Sequence, residues 1–337
     1  MQLLALALLG PACAPKEAPP EPAAQATAPA DPLDETELVT TGTLDERLSR
    51  WPADLVLFYG GEHKGSMETC GCPKNPRGSL ARQAAYMKAS QTANPSTPSL
   101  TVHGGYWLEN AINNDGDLRA DVPVMNRWMI QGLEATAFDV VNVTFEDLPG
   151  LQALETAPPW AVSANLVAAE GTPAPARSLV VEKDGLKIGV TGITSEDMTF
   201  VPTPGYSYAD AQESATAVLQ ELAPQVDLLV LLAYRSAEEA RAIAQAVPEL
   251  DLVIHSGMHR EIYDPARVGN TLWLRSHYQT MRLGELRMTT ADGEITAFVD
   301  RKIDLDPYVP DDPELATISR ESRGELEKIQ AELFATP

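Results

Sequence analysis

Cys70-Gly71-Cys72, preceded by Met67-Glu68-Thr69, is the densest group of reactive side chains in this sequence. Two thiols one residue apart support three kinds of chemistry. Joined to each other they close a short, strained and easily reduced ring. Left as a dithiol they exchange with a partner's disulfide. As thiolates, with the Met67 thioether or a histidine, they suit a soft transition metal. Histidine is scarce, with 5 in the chain: His63, His103, His255, His259 and His277. Each stands at or just beyond the C-terminal end of an expected strand, or in the loop that closes the sheet. In open α/β sheets those ends converge on the ligand crevice. Glu62, His63, His103, His255 and His259 are therefore the candidate ligands of one transition metal, Zn, Mn, Fe or Cu. No Walker loop, Rossmann glycine fingerprint or Gly-x-Ser-x-Gly elbow occurs, so no nucleotide cofactor is expected. The acidic pairs Glu146-Asp147 and Asp311-Asp312 read as solvation and helix capping, and Trp107 and Trp128 as core.

The elements that must position these residues alternate in type. Apolar runs at 54–59, 99–103, 138–143, 161–167, 226–233 and 251–255 read as strands. Two alternating runs around Asp184-Gly185, over 178–193, read as a hairpin. Strand-like runs follow at 271–276, 283–290 and 294–304. Helical stretches fall at 79–89, 121–133, 209–223 and 236–247. A last helix spans roughly 312–333, capped by Asp312 with Pro313 in its first turn. Leu315, Ile318, Leu326 and Ile329 would form its apolar face, packed on the domain. The pattern is α/β with added antiparallel strands.

The order of several motifs resembles the metallophosphoesterase (calcineurin-like) superfamily, in its 5′-nucleotidase branch, over residues 52–305. Leu57-Phe58-Tyr59 enters a loop ending at Gly65. Residues 78–82 (GSLAR) are similar to the family's glycine-led helix, and Ser163-Ala164-Asn165-Leu166 to its alanine-asparagine strand. Residues 185–193 (GLKIGVTGI) match its long hairpin strand. Residues 251–259 (DLVIHSGMH) and 271–286 (TLWLRSHYQTMRLGEL) match its closing segment. The resemblance implies a sandwich of mixed β-sheets flanked by α-helices, with two metal ions at the strand ends. Carried over singly, most ligand positions hold something else. The first Asp-x-His-Gly falls on Glu62-His63-Lys64-Gly65, the second Gly-Asp on Gly104-Gly105, and the Gly-Asn-His-Glu near 143–146. The single later His falls on Tyr234, and the final Gly-His-x-His on Ser256-Gly257-Met258-His259. The Glu-x-Cys-Gly-Cys loop also resembles a bacterial subgroup with the same kind of degenerate ligands. The short stretch after residue 306 leaves no room for the nucleobase-binding domain of secreted 5′-nucleotidases, so nucleotide specificity is not expected.

The N-terminus reads as an export signal. Residues 2–9 are a short apolar run, followed by Gly10-Pro11-Ala12-Cys13, as in a bacterial lipoprotein signal ending at a lipidated Cys13. No Lys or Arg precedes that run, and Pro11 sits in the cleavage box; both depart from the pattern. The domain plan is a signal at 1–13, a Pro/Ala-rich tether at 14–49, the phosphoesterase-like domain at 50–306 and a C-terminal helix at 307–337. The expected location is extracytoplasmic, lipid-anchored at a bacterial membrane and facing the periplasm or the cell surface. A formal net charge of −23 argues against nucleic acid as a partner. The remaining partner is a protein.

Three functions follow from these residues. The first is a non-hydrolytic binding or redox-accessory lipoprotein on a metallophosphoesterase scaffold. The second is an active metal-dependent phosphoesterase or nucleotidase with a rearranged ligand set. The third is a partner-binding scaffold.

Overall fold

A computed structural model describes residues 34–196, 203–257, 265–291 and 294–335. Cys13, Met258 and His259 lie outside the described residues. The first elements are β1 (Asp34–Val39), α1 (Leu44–Arg47), β2 (Leu55–Gly60), α2 (Leu80–Ala93), β3 (Ser99–His103), α3 (Val122–Thr136), β4 (Val140–Asn142) and α4 (Leu148–Gln152). Then come β5 (Ala161–Val162), β6 (Leu166–Ala168), β7 (Ser178–Lys183), β8 (Leu186–Thr194), β9 (Tyr206–Tyr208), α5 (Ala211–Leu222), β10 (Leu228–Tyr234) and α6 (Ala237–Ala246). The last are β11 (Leu252–Ser256), β12 (Ala266–Val268), β13 (Thr271–Arg275), β14 (Arg282–Ala291), β15 (Glu294–Asp304) and α7 (Pro313–Ala335).

These strands form two main sheets, ordered β1-β15-β14-β2-β3-β4-β5 and β12-β13-β11-β10-β8-β7. Their apolar faces meet in one core. Leu57, Tyr59, Leu100 and Val102 come from the first sheet, and Val190, Val230, Leu232, Ile254 and Leu274 from the second. Strand alternation sends the next residue outward, under helices. On the first sheet the outer layer is α2, α3 and α7. On the second it is α5 and α6, over Leu229, Leu231, Val253 and Trp273. The fold is thus the expected sandwich of mixed sheets flanked by helices. Asp312 caps α7 through the Glu314 and Leu315 amides, Leu315 and Ile318 are buried, and the helix packs on α2 and α3. It belongs to the domain.

Two expectations need correction. Residues 34–49 are not tether. Asp-Glu-Thr-Glu-Leu-Val lacks apolar alternation, but it pairs in parallel with Phe298–Ile303 of β15, and Glu37 binds Arg301 at 2.6 Å. Behind it Arg47 is fully buried. Its guanidinium donates to both Asp306 carboxylate oxygens at 2.9 Å, to the Asp304 carbonyl at 2.5 Å and to the Gly42 carbonyl at 2.8 Å. The expected strand at 161–167 is split between two sheets. Asn165 clips the break by exchanging two hydrogen bonds with the Thr194 backbone, at 2.9 and 3.1 Å.

Removing one partner of a buried ion pair strands the other. Arg47→Ala should lower unfolding free energy by about 3–5 kcal/mol in urea denaturation. No measurable change would return residues 34–49 to the tether.

Candidate functional site

Beyond Gly60 and His103, β2 and β3 do not separate. Their loops continue side by side as an irregular ladder. Gly104 N–H donates to Gly60 O at 2.8 Å, Glu62 N–H to Gly105 O at 2.9 Å, Lys64 N–H to Tyr106 O at 3.0 Å and Gly65 N–H to Trp107 O at 2.9 Å. This ladder holds Glu62, Lys64 and Tyr106 in left-handed backbone, with φ of 61°, 54° and 57°, a conformation that costs a non-glycine residue about 1–2 kcal/mol. The far loop is fixed by Asp147. That buried carboxylate accepts the Tyr106, Trp107, Leu108 and Thr144 amides at 2.7–3.1 Å and the Thr144 hydroxyl at 2.6 Å. Burial raises its pKa to about 6, and the donors hold it from going higher. Asp147 is therefore an internal structural anion, not a solvated charge.

The crevice between the two sheets' strand ends is lined by charged, aromatic and hydroxyl side chains. Lys64 Nζ lies 3.5 Å from Glu62 Oε2 and 5.0 Å from the Tyr106 ring centre. Arg235, also left-handed at φ 55°, lies 3.5 Å from Glu146 and stacks over Phe145 and Tyr234. Tyr234 is fully buried, and its hydroxyl has no hydrogen-bond partner among the described residues. Burial and the nearby Glu62 charge raise its pKa. Below them Ser256 Oγ meets Ser276 Oγ at 2.8 Å.

The expected ligand positions can be tested for space and chemistry. A Cβ on Gly104 would stand 1.8 Å from Ser256 Oγ, and one on Gly105 would stand 2.1 Å from Thr144 Cγ2. No bridging carboxylate fits there without displacing those side chains. His63 and His103 do not aim at the crevice together with Glu62. His103 Nδ1 accepts the Gly105 amide at 3.1 Å, so its proton sits on Nε2, which donates to His63 Nδ1 at 2.6 Å. The rings stack at 4.8 Å, both edge-on to Phe138 in the helix layer. His255 lies on the helix side of β11, against Trp273. Met67 is buried, its sulfur 2.7 Å from where a Cβ on Gly132 would stand, so it is core and not a partner of the thiols. Cys70 is half-buried, Cys72 is exposed, and both are free. Among the described residues no group of three or more His, Cys, Asp or Glu can hold a metal ion. Sequence reasoning met Tyr234 and Ser256 only as positions where an expected ligand is replaced, and it missed Tyr106, Arg235 and Ser276. Glycines on two adjacent strand ends were the available signal.

Burial lowers His63 to about 4 from 6.5, and burial plus the His63 ring lowers His103 further. Both folded values lie below the unfolded one, so the unfolded chain binds more protons between about pH 6.5 and 4. Stability is full above that window and falls through it as pH drops. Going from pH 7 to pH 5 should cost about 2 kcal/mol through His63 alone. His63→Phe should show a shallower acid slope in urea titrations. An unchanged slope would contradict the buried neutral pair.

No family model matches the sequence. The chain is 28% identical to the uncharacterized metallophosphoesterase YunD of Bacillus subtilis over 160 residues, 46% of this chain and 34% of that protein. Its fold is similar to the sulfate thiohydrolase SoxB of Thermus thermophilus, with TM-score 0.65 and 14% identity over 82% of this chain and 61% of that one. A 5′-nucleotidase precursor, also of Thermus thermophilus, gives 0.64 and 17% over 81% and 59%. The NAD nucleotidase of Haemophilus influenzae gives 0.63 and 13% over 81% and 60%. The chain thus spans 34% of the curated relative and 59–61% of these solved chains. This likeness gives the chain the metallophosphoesterase fold of these solved proteins.

Proposed function

We propose that this chain is a non-hydrolytic accessory or binding protein, in which protein side chains have replaced the superfamily's metal centre. The observation that carries this reading is Gly105, which stands where the bridging carboxylate is expected and where a Cβ would meet Thr144 Cγ2 at 2.1 Å. Two metal ions a few ångströms apart need such a group to offset their repulsion. Beside it the Lys64 ammonium already neutralises Glu62. A protonated amine is no metal ligand and generates no nucleophilic hydroxide.

Purified protein supplied with Mn²⁺, Zn²⁺ or Mg²⁺ should hydrolyse p-nitrophenyl phosphate and nucleoside monophosphates no faster than buffer. Turnover near or above ~1 s⁻¹, an ordinary enzymatic rate, that falls at least ~100-fold in Glu62→Gln would establish the phosphoesterase reading instead.

We also propose that the protein is exported and anchored at a bacterial membrane through a lipid on Cys13. The short apolar run and small residues before Cys13, with the Pro/Ala-rich stretch after it, support this. Expressed in a bacterial host, the full chain should enter the detergent phase on Triton X-114 partition and Cys13→Ala the aqueous phase. Identical partition of the two would remove the anchor.

A further inference from the structure

The loop that carries Cys70 and Cys72 is fixed at its base and open at its tip. Thr69 bridges Gly78 in antiparallel register, and Cys70 N–H donates to Arg77 O at 2.8 Å. On the incoming side Met67 is sunk in the core. The Glu68 carboxylate there accepts the Ser319 hydroxyl and, at 2.7 Å, the Arg323 guanidinium of α7. On the outgoing side Arg77 pairs with the buried Asp304 at 2.9 Å, and Gly78 N–H donates to Leu305 O at 2.8 Å. Between the thiols Gly71 adopts φ +74°, with open space where a Cβ would point.

The two sulfurs differ in setting. Cys70 is half-buried, and its Sγ accepts the Arg77 amide at 3.4 Å. Cys72 is exposed. The Asn75 and Lys74 backbone and the Arg77 charge hold its thiol below the usual cysteine range. An exposed sulfur on an open loop tip is the arrangement of an attacking thiolate. A second free thiol two residues away, across a glycine turn, is the arrangement of a resolving one.

We propose that Cys70 and Cys72 form a thiol–disulfide exchange site that takes a disulfide as co-reactant, with Cys72 attacking and Cys70 resolving. The Cys72 thiolate attacks one sulfur of R–S–S–R′. A Cys72–S–S–R bond forms as the S–S bond breaks, and R′–S⁻ leaves and takes a proton from solvent. Cys70 then gives its proton to solvent and attacks the Cys72 sulfur, and R–S⁻ leaves and is protonated. Two electrons pass from the pair to the co-reactant. The pair ends as a Cys70–Cys72 disulfide and the co-reactant as two thiols. This extends the accessory role proposed above without resting on it. Exchange is read from thiols and hydrolysis from phosphate, so either can fail alone.

The test uses the pre-reduced full chain with glutathione disulfide, quenched in acid, with products located by peptide mass so that Cys13 is scored separately. Wild type should release two glutathione thiols per chain and close Cys70 onto Cys72. Its rate should reach half-maximum below the ordinary cysteine pKa of about 8.5. Cys70→Ser should stop at a stable Cys72–glutathione adduct, and Cys72→Ser should react at least ~10-fold more slowly at neutral pH. All three proteins should unfold at the same temperature, because neither thiol is in the core. Equal rates in the two variants, or a wild type that keeps the adduct without closing the pair, would overturn the proposal.

Discussion

A Cβ on Gly105 would stand 2.1 Å from Thr144 Cγ2 and one on Gly104 would stand 1.8 Å from Ser256 Oγ, and these two glycines bring the strand ends of the crevice into contact. The two sheets share a core, and their strand ends converge on one edge, as open α/β sheets do. A ligand pocket there requires side chains that hold the strand ends apart around a cofactor or substrate. Here glycines on the first sheet let backbone meet the serine pair on the second. Asp147 then locks the glycine-containing loop from behind with three hydrogen bonds, from the Tyr106, Trp107 and Leu108 amides. Within the first sheet, the ladder between the two loops holds Glu62, Lys64 and Tyr106 left-handed.

Charge balance at the crevice is internal for the same reason. Positive charge that metals would supply comes from Lys64 and Arg235, each within 3.5 Å of a carboxylate. Of the nine described non-glycine residues with left-handed φ, four (Glu62, Lys64, Tyr106 and Arg235) belong to this edge. Strain concentrated at one place persists because surrounding contacts over-determine it, and such places tend to be functional. That concentration marks the edge as the candidate functional site.

Much of the architecture was legible in the residues. Continuous apolar runs announced β10 and β11, Asp184-Gly185 announced the β7–β8 turn, and Asp312-Pro313 announced α7. β1 was not legible, because its contribution is charge pairing and parallel register rather than an apolar face. The histidines show the same limit at the site. Their placement at strand ends could be read, but not their direction. Val102 and Ile254 face the shared core, so alternation turns His103 and His255 to the helix layers. That rule was available from the sequence. The contact between Gly104 and Ser256, residues of different sheets, was not.

Elemental mass spectrometry on untagged protein, dialysed after exposure to Mn²⁺, Zn²⁺ and Fe²⁺, tests the central claim most directly. If the Gly105–Thr144 contact and the Lys64–Glu62 pair occupy the place of a metal centre, the crevice retains well under one equivalent, and Glu62→Gln leaves the content unchanged. About two equivalents of one metal, the content of a dinuclear site, lost in Glu62→Gln, would contradict the account.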